Sequence, residues 1–374
     1  MTERTYQICN RCIMDTSDPE IKFDDMGNCN HCNSALDRVK KNWFPDKNGE
    51  KIFAGIIEKI KREERNNEFD CIIGLSGGVD SSYLAYFAVN KGLRPLVVHV
   101  DCGWNSEQAV KNIENVVKTL KIELHTFVVN WEEMKDLQRA FFKASLPDQD
   151  IPQDHAIFAA LYNFADKNKI KYVFNGLNFA TESIMPGNWG YQAMDYRHLK
   201  SIHKRFGEKK LNDYPHVNFF KRYIYYTLIK KMKIINPLNY IDYRKDEVIE
   251  TMKRELGWQY YGGKHHESRF TKFFQSYYLP VKFNFDKRRA HLSSLIVSGQ
   301  ISRDEALNKM KENVYAENEI ENDLEFVAKK LDWSPTEFKA IINLPPNRHQ
   351  DFETNENLFD FGMKSSNYLK NVFK

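Results

Sequence analysis

Twenty residues, Cys71 to Asn90, limit the fold more tightly than any other part of this 374-residue chain. They open on an apolar run of strand type, Cys71-Ile72-Ile73-Gly74-Leu75, and pass through Ser76-Gly77-Gly78-Val79-Asp80-Ser81-Ser82. A helix pattern follows from Tyr83 to Val89 and closes at Lys91-Gly92, where glycine suits the left-handed position past a helix end. Adjacent glycines let a ligand approach bare backbone. The hydroxyls of Ser76, Ser81 and Ser82 stand where a helix's first N–H groups lack partners and its dipole is positive. The stretch reads as a cradle for an anion of phosphate type. It has neither the Lys-Ser/Thr pair of a Walker A loop nor the spacing of a dinucleotide fingerprint.

The segments that follow keep the same alternation. Pro95 to Asp101 is an apolar run of strand length, a helix pattern spans 106–121, and a strand 124–129. Helix patterns over 131–145 and 154–168 lead to a strand at 171–175. This order predicts a doubly wound parallel sheet covered by helices, with ligand residues at the carboxyl ends of its strands: Ser76–Ser82, Asp101–Gly103 and Asn175–Glu182. Asp101 also fits a plain strand end, and Asn175-Gly176-Leu177-Asn178 a turn with Asx hydrogen bonds. Asp154 suits a helix N-cap and His155 an ordinary polar helix position. The expected division is 1–48, 49–222 and a mostly helical 223–374, with amphipathic helix over 302–331 and 334–342.

Ahead of the sheet stand two CxxC pairs, Cys9/Cys12 and Cys29/Cys32. At that separation four thiolates can close a tetrahedral metal site without a further ligand. The turn-rich segment between them is too small to fold on apolar burial alone, so metal binding would supply its folding energy. A structural Zn²⁺ is expected, though four thiolates also suit an iron–sulfur cluster; His31 is read as a bystander. Six cysteines, four of them in these pairs, suit a reducing cytoplasm. With 55 Lys+Arg against 51 Asp+Glu, no global field favours nucleic acid or a membrane. No run is long enough to span a bilayer and residues 1–20 have no signal-peptide core, so a cytoplasmic protein is expected.

In the C-terminal region, Gly257 to Phe270 sets adjacent glycines beside Lys264, His265, His266, Glu267 and Arg269. So many ionisable groups cannot enter a core unpaired. The stretch is a polar surface loop or a substrate-side catalytic loop. Lys282 to His291 mixes cations with aromatics, suiting either the phosphates of an activated substrate or a basic helix start.

Ser76–Ser82 resembles the PP-loop of the N-type ATP pyrophosphatases, which have a HUP-like fold and grip the β,γ-pyrophosphate of ATP. Taken with Cys9-Asn10-Arg11-Cys12-Ile13-Met14-Asp15-Thr16, Cys29-Asn30-His31-Cys32, Gly262-Gly263-Lys264-His265-His266-Glu267-Ser268 and Asp286-Lys287-Arg288-Arg289-Ala290-His291, roughly residues 6 to 310 resemble the N-acetyl sugar amidotransferases of bacterial surface-glycan biosynthesis. The resemblance implies that ATP is held by Ser76, Gly77, Gly78, Asp80, Ser81, Ser82, Asp101, Asn175, Gly176, Asn178 and Glu182, the last placed for Mg²⁺ or departing pyrophosphate. Lys264, His265, His266 and Glu267 would be catalytic, while Arg269, Lys287, Arg288 and Arg289 would bind substrate. The implied reaction turns an acetamido group into an acetamidino group. The sugar would be a UDP-linked diacetamido uronic acid of O-antigen, or a nonulosonic acid precursor of flagellar or capsular glycan. Residue 2 is Thr and no Gly-x-Cys-x-Gly elbow occurs, so a separate triad-type glutaminase is expected to supply ammonia. The alternative is tRNA thiolation, for which Cys102 is the one plausibly placed nucleophile and the weak net charge is unfavourable.

Overall fold

The computed structural model describes residues 5–315 and 319–359. Five strands, β1 (Cys71–Gly74), β2 (Pro95–Asp101), β3 (Leu124–Val128), β4 (Tyr172–Phe174) and β5 (Lys233–Ile235), form one parallel sheet in the order β3-β2-β1-β4-β5. The chain order reverses between β1 and β4, which opens a crevice at their carboxyl ends. Helices α1 (Asn30–Asn42), α2 (Lys47–Glu63), α3 (Val79–Asn90), α4 (Glu107–Leu120), α5 (Trp131–Ala144) and α6 (Ile151–Lys167) supply the layers. Neighbouring strand residues serve opposite faces. Ile72, Leu96 and Val98 join the core that includes α5 and α6, whereas Cys71, Ile73 and Val97 join the core that includes α2 and α3. Burial on both faces is why β1 and β2 read as unbroken apolar runs.

Four elements depart from the sequence reading. Helix α3 starts at Val79 instead of Tyr83, because Gly78 is extended (φ −73°, ψ 166°) and caps it; Asp80, Ser81 and Ser82 therefore lie inside its first turn. Helix α6 starts at Ile151 with Pro152 in its first turn, where a missing N–H costs nothing, so Asp154 lies within the helix and caps nothing. The fifth strand comes after residue 222, so the sheet extends into the region read as helical. Over 302–331 there are two helices, Arg303–Lys309 and Glu319–Lys330, with non-helical residues 310–315 after the first; 316–318 lie outside the described residues.

Behind the sheet's α6 layer, His155 is fully buried, with Nδ1 2.8 Å from the Ala193 carbonyl and Nε2 accepting from the Val217 amide at 3.2 Å. Only the neutral ring satisfies both bonds. Burial pushes its pKa down to about 4. His198 and His349, 3.2 Å apart, are likewise pushed down by burial, to about 3 and about 4. Each folded value lies below the unfolded 6.5, so this stability is complete above pH 6.5 and is lost as pH falls through about 4 toward about 3. The urea midpoint is expected to drop across that window, and His155→Gln to flatten the slope. A midpoint constant over the window refutes this.

Candidate active site

A cavity of about 1440 Å³ opens at the carboxyl ends of β1, β2 and β4. Its floor is the β1–α3 turn. Gly77 has φ +80°, and a Cβ there would lie 2.4 Å from the Ala109 carbonyl oxygen, so no side chain fits. Trp258 Nε1–H donates to the Gly77 carbonyl at 3.0 Å, and Asn112 Nδ2 approaches it at 3.5 Å. Asn112 also exchanges two bonds with the Gln259 backbone, at 2.8 and 2.9 Å. The Ser106 amide donates to the Glu267 carbonyl at 2.8 Å, and the Arg269 amide to that of Trp104 at 3.0 Å. The glycine-rich segment 257–269 is thereby stitched along the turn and the loop after β2. No side chain caps α3 at Gly78; the Val79 amide donates to the Tyr261 hydroxyl at 3.1 Å, and the Ser76 and Ser81 hydroxyls lie 3.1 Å apart.

Facing this turn is a cluster of charges. Lys264 Nζ pairs with Glu182 at 2.7 Å and donates to Thr181 Oγ1 at 3.3 Å. Asp80 accepts from the Tyr243 hydroxyl, and from Asn178 Nδ2 at 3.4 Å. Burial raises the pKa of Asp80 despite Lys264 nearby. In Glu182 the same burial is outweighed by Lys264, and its pKa falls. For Lys264 burial works against the ammonium, but Glu182 and Asp80 outweigh it and keep the charge on. Burial would also raise Glu267, yet the bond and charge of His265 bring it below the usual value. His266 is pushed down to about 4 by burial and is neutral near pH 7. Glu182 Oε2 and Glu267 Oε2 are buried without a hydrogen-bond partner, so each has an oxygen free to accept from a ligand or a cation such as Mg²⁺.

Of the residues assigned in the sequence to ATP, catalysis or substrate, the cavity is lined by Ser76, Gly78, Asp80, Ser81, Asn175, Gly176, Glu182, Lys264, His265, His266, Glu267, Lys287 and Arg288; Cys102, Asp154 and His291 line it too. Six others do not line it. Gly77 packs on Ala109, and Ser82 is wholly buried in the first turn of α3. Asp101 accepts from its own turn, from the Gly103 amide at 2.7 Å and Asn105 Nδ2 at 3.1 Å. Asn178 caps the short helix α7 (Phe179–Glu182) by accepting from the Thr181 amide at 2.9 Å. Arg269 pairs with Asp323 at 2.6 Å over the Phe326 ring, and Arg289 pairs with Asp15 at 2.9 Å. Both arginines, read as substrate ligands, are paired away from the cavity. Arg288 lines the wall but forks onto Asp286, at 2.7 and 3.1 Å. Sequence reasoning missed Tyr243, Tyr261 and the clamp of Asn112 and Trp258, since a tyrosine or asparagine in a helix or loop has no pattern of its own.

The sulfurs of Cys9, Cys12, Cys29 and Cys32 converge within 4.8 Å of one another. The Cys9–Cys32 and Cys12–Cys29 pairs are 3.7 and 3.5 Å apart, near the roughly 3.8 Å edge of a tetrahedral zinc tetrathiolate. The Cys29 amide donates to Cys9 Sγ at 3.1 Å, as a thiolate requires. His31 instead pairs with Asp18 at 2.5 Å. The donor set fits a bound metal. Cys102, by contrast, is buried, and burial together with Asp101 pushes its thiol up, so it is a poor nucleophile.

Residues 51–216 match the NAD synthase family, and residues 267–366 match the family described as LPS biosynthesis protein WbpG-like, C-terminal domain. A glutamine-dependent NAD(+) synthetase of Aquifex aeolicus (strain VF5) is 30% identical over 108 residues, 28% of this chain and 18% of that protein. The chain thus spans less than a fifth of the length of this curated relative. Similar solved structures include an NH3-dependent NAD synthetase from Campylobacter jejuni subsp. jejuni, at 17% identity over 35% of this chain and 58% of that one, with a TM-score of 0.27. An NMN synthetase from Francisella tularensis is 17% identical over 60% of this chain and 93% of that one, with a TM-score of 0.29.

Proposed function

We propose that this PP-loop chain of the ATP pyrophosphatase type, which joins a NAD-synthase-like domain to a WbpG-like C-terminal domain, is the synthetase half of an ammonia-using amidotransferase of surface-glycan biosynthesis. Its acceptor is the N-acetyl group of an activated sugar, a UDP-linked diacetamido uronic acid or a nonulosonic acid precursor, and its product is the acetamidino sugar. The observation that carries this reading is the convergence, in one cavity, of the α3 N-terminus with the Lys264–Glu182 pair at 2.7 Å. At about 1440 Å³ the cavity also exceeds the ~300–1,000 Å³ of a site for one small ligand; it has room for a nucleotide and a sugar together.

An amide oxygen is a poor leaving group. ATP, when bound, would supply an adenylyl group that converts it into a good one, and Glu182 would hold the accompanying Mg²⁺. The chain's own residues do the rest. The α3 N-terminus with Ser76 and Ser81 holds phosphate oxygens, aided by Gly78 and Asp80 of the same turn. Asn175 and Gly176 border the nucleotide side. Lys264, fixed by Glu182 and Thr181, places its charge where negative charge develops. Glu267, or neutral His266 beside His265, accepts a proton from the nitrogen once ammonia has added to the imidate carbon and AMP departs. Lys287 faces the acceptor.

The match of residues 51–216 to the NAD synthase family, with the likeness to a glutamine-dependent NAD(+) synthetase, supports glutamine-derived ammonia as the nitrogen donor. We assign its supply to a separate triad-type glutaminase, and the reaction to the cytoplasm; no described helix is long and apolar enough to cross a membrane. The test is to incubate the purified chain with candidate sugar nucleotides, ATP, Mg²⁺ and ammonium. AMP, pyrophosphate and a product with NH in place of oxygen are expected, and glutamine should support turnover only once the partner is added. ADP with orthophosphate as products refutes the reading. Thiolation of tRNA is disfavoured because Cys102, though it lines the cavity, has a thiol that burial keeps protonated.

A further inference from the structure

The helix Lys287–Val297 presents two working faces. Lys287, His291 and Leu295, four residues apart, line the cavity with Arg288 and Leu292. The opposite face carries Arg289 and Ser293, which hold the four-cysteine module. The Ile13 amide donates to Ser293 Oγ at 3.1 Å, while Arg289 donates to the Ile13 carbonyl at 2.9 Å and pairs with Asp15 at 2.9 Å. Arg303, in the next helix, donates to the Cys9 carbonyl at 3.0 and 3.1 Å and to that of Cys12 at 3.1 Å. Ser293 is fully buried and Asp15 is 2% exposed, so the contact is closely packed.

The module also reaches the other side of the cavity. Arg38, on α1, donates to the Ser183 carbonyl at 2.6 Å, one residue past Glu182. Asn188 donates to Asp18 at 3.0 Å. The segments bearing Glu182 and His291 are themselves tied together, through Ser294 Oγ accepting from the Ile184 amide at 2.9 Å and Ser298 Oγ donating to the Ala180 carbonyl at 2.7 Å. Most of these grips fall on backbone of the knuckle Cys9–Asp15, and that backbone has a fixed shape only when four thiolates share an ion.

We infer that the four-cysteine module is a bracket for the cavity wall, and that Arg289 and Arg303 are positioning residues through which metal occupancy sets the place of Lys287 and His291. The claim rests on the proposed function only for what the wall binds, and its test needs neither substrate nor ATP. Backbone amide exchange is measured by mass spectrometry on the full chain, with and without a chelator, for wild type and for R289A/R303A. In the wild type, chelation is expected to speed exchange about tenfold or more in residues 9–32 and 287–297, but not in 71–90. In R289A/R303A, whose cysteines keep their metal, 287–297 should exchange fast already and respond to the chelator no further; R289K/R303K should restore part of the coupling. A purely local fold would leave 287–297 unmoved when the wild-type knuckle melts, and that overturns the inference. Equal acceleration in 71–90 overturns it as well, since the chain would then be unfolding as a whole.

Discussion

Lys264→Ala is expected to lower turnover about 10²–10³-fold, the loss found when one preorganised donor to a developing charge is removed. The ammonium is held at 2.7 Å by Glu182 and at 3.3 Å by Thr181, so little reorganisation is needed when charge builds on a nearby phosphate. ATP binding should suffer far less, because in the proposed site the α3 N-terminus and the hydroxyls of Ser76 and Ser81 would grip the nucleotide independently of Lys264. Stability is the competing effect. Glu182 and Asp80 lose their counter-ion, and stranding a buried charge costs about 3–5 kcal/mol. Turnover of K264A measured well below its own melting midpoint separates the two effects: the rate loss should persist where the variant is fully folded. Pyrophosphate release gives the rate and calorimetric titration the ATP affinity. An unchanged rate in K264A removes this residue from the mechanism.

The second large effect is expected at the four-cysteine site. The knuckle buries few apolar side chains besides its cysteines, chiefly Ile13, Met14 and Ile21, while a structural zinc tetrathiolate contributes about 10–16 kcal/mol of apparent binding energy at neutral pH. Cys29→Ser should therefore lose the metal and open residues 5–32 to protease, with a lower melting temperature. Elemental analysis of the wild-type chain names the ion; Zn²⁺ gives no visible absorption, whereas an iron–sulfur cluster is coloured. Retention of a full equivalent of metal by C29S would show that the four sulfurs are not the ligand set.

What could be read from the residues was whatever repeats or clusters along the chain. Strands β1 and β2 announce themselves because a strand covered on both faces is apolar throughout, and the β1–α3 turn because two glycines and three serines sit at a helix start. Lys264 and Glu267 stood out because charged groups crowd beside glycines. By contrast β5 has three residues, Lys233-Ile234-Ile235, too few to show a period. Arg289 differs from Lys287 only in pointing along another helix face, a difference of about 200° of rotation at 3.6 residues per turn. Its partner Asp15 lies far away in sequence, and local composition says nothing about that. The clamp on Gly77 is legible only once Trp258 and Asn112 are seen to meet.

The grip of Trp258 on the Gly77 carbonyl bears on how such a chain can be recombined. A fragment ending at residue 222 would contain every atom of the phosphate turn, yet lack both the indole that pins it and the edge strand 233–235. Chimeras that exchange specificity between relatives should therefore place their crossover after Gln259, so that the inherited first part keeps its own lock.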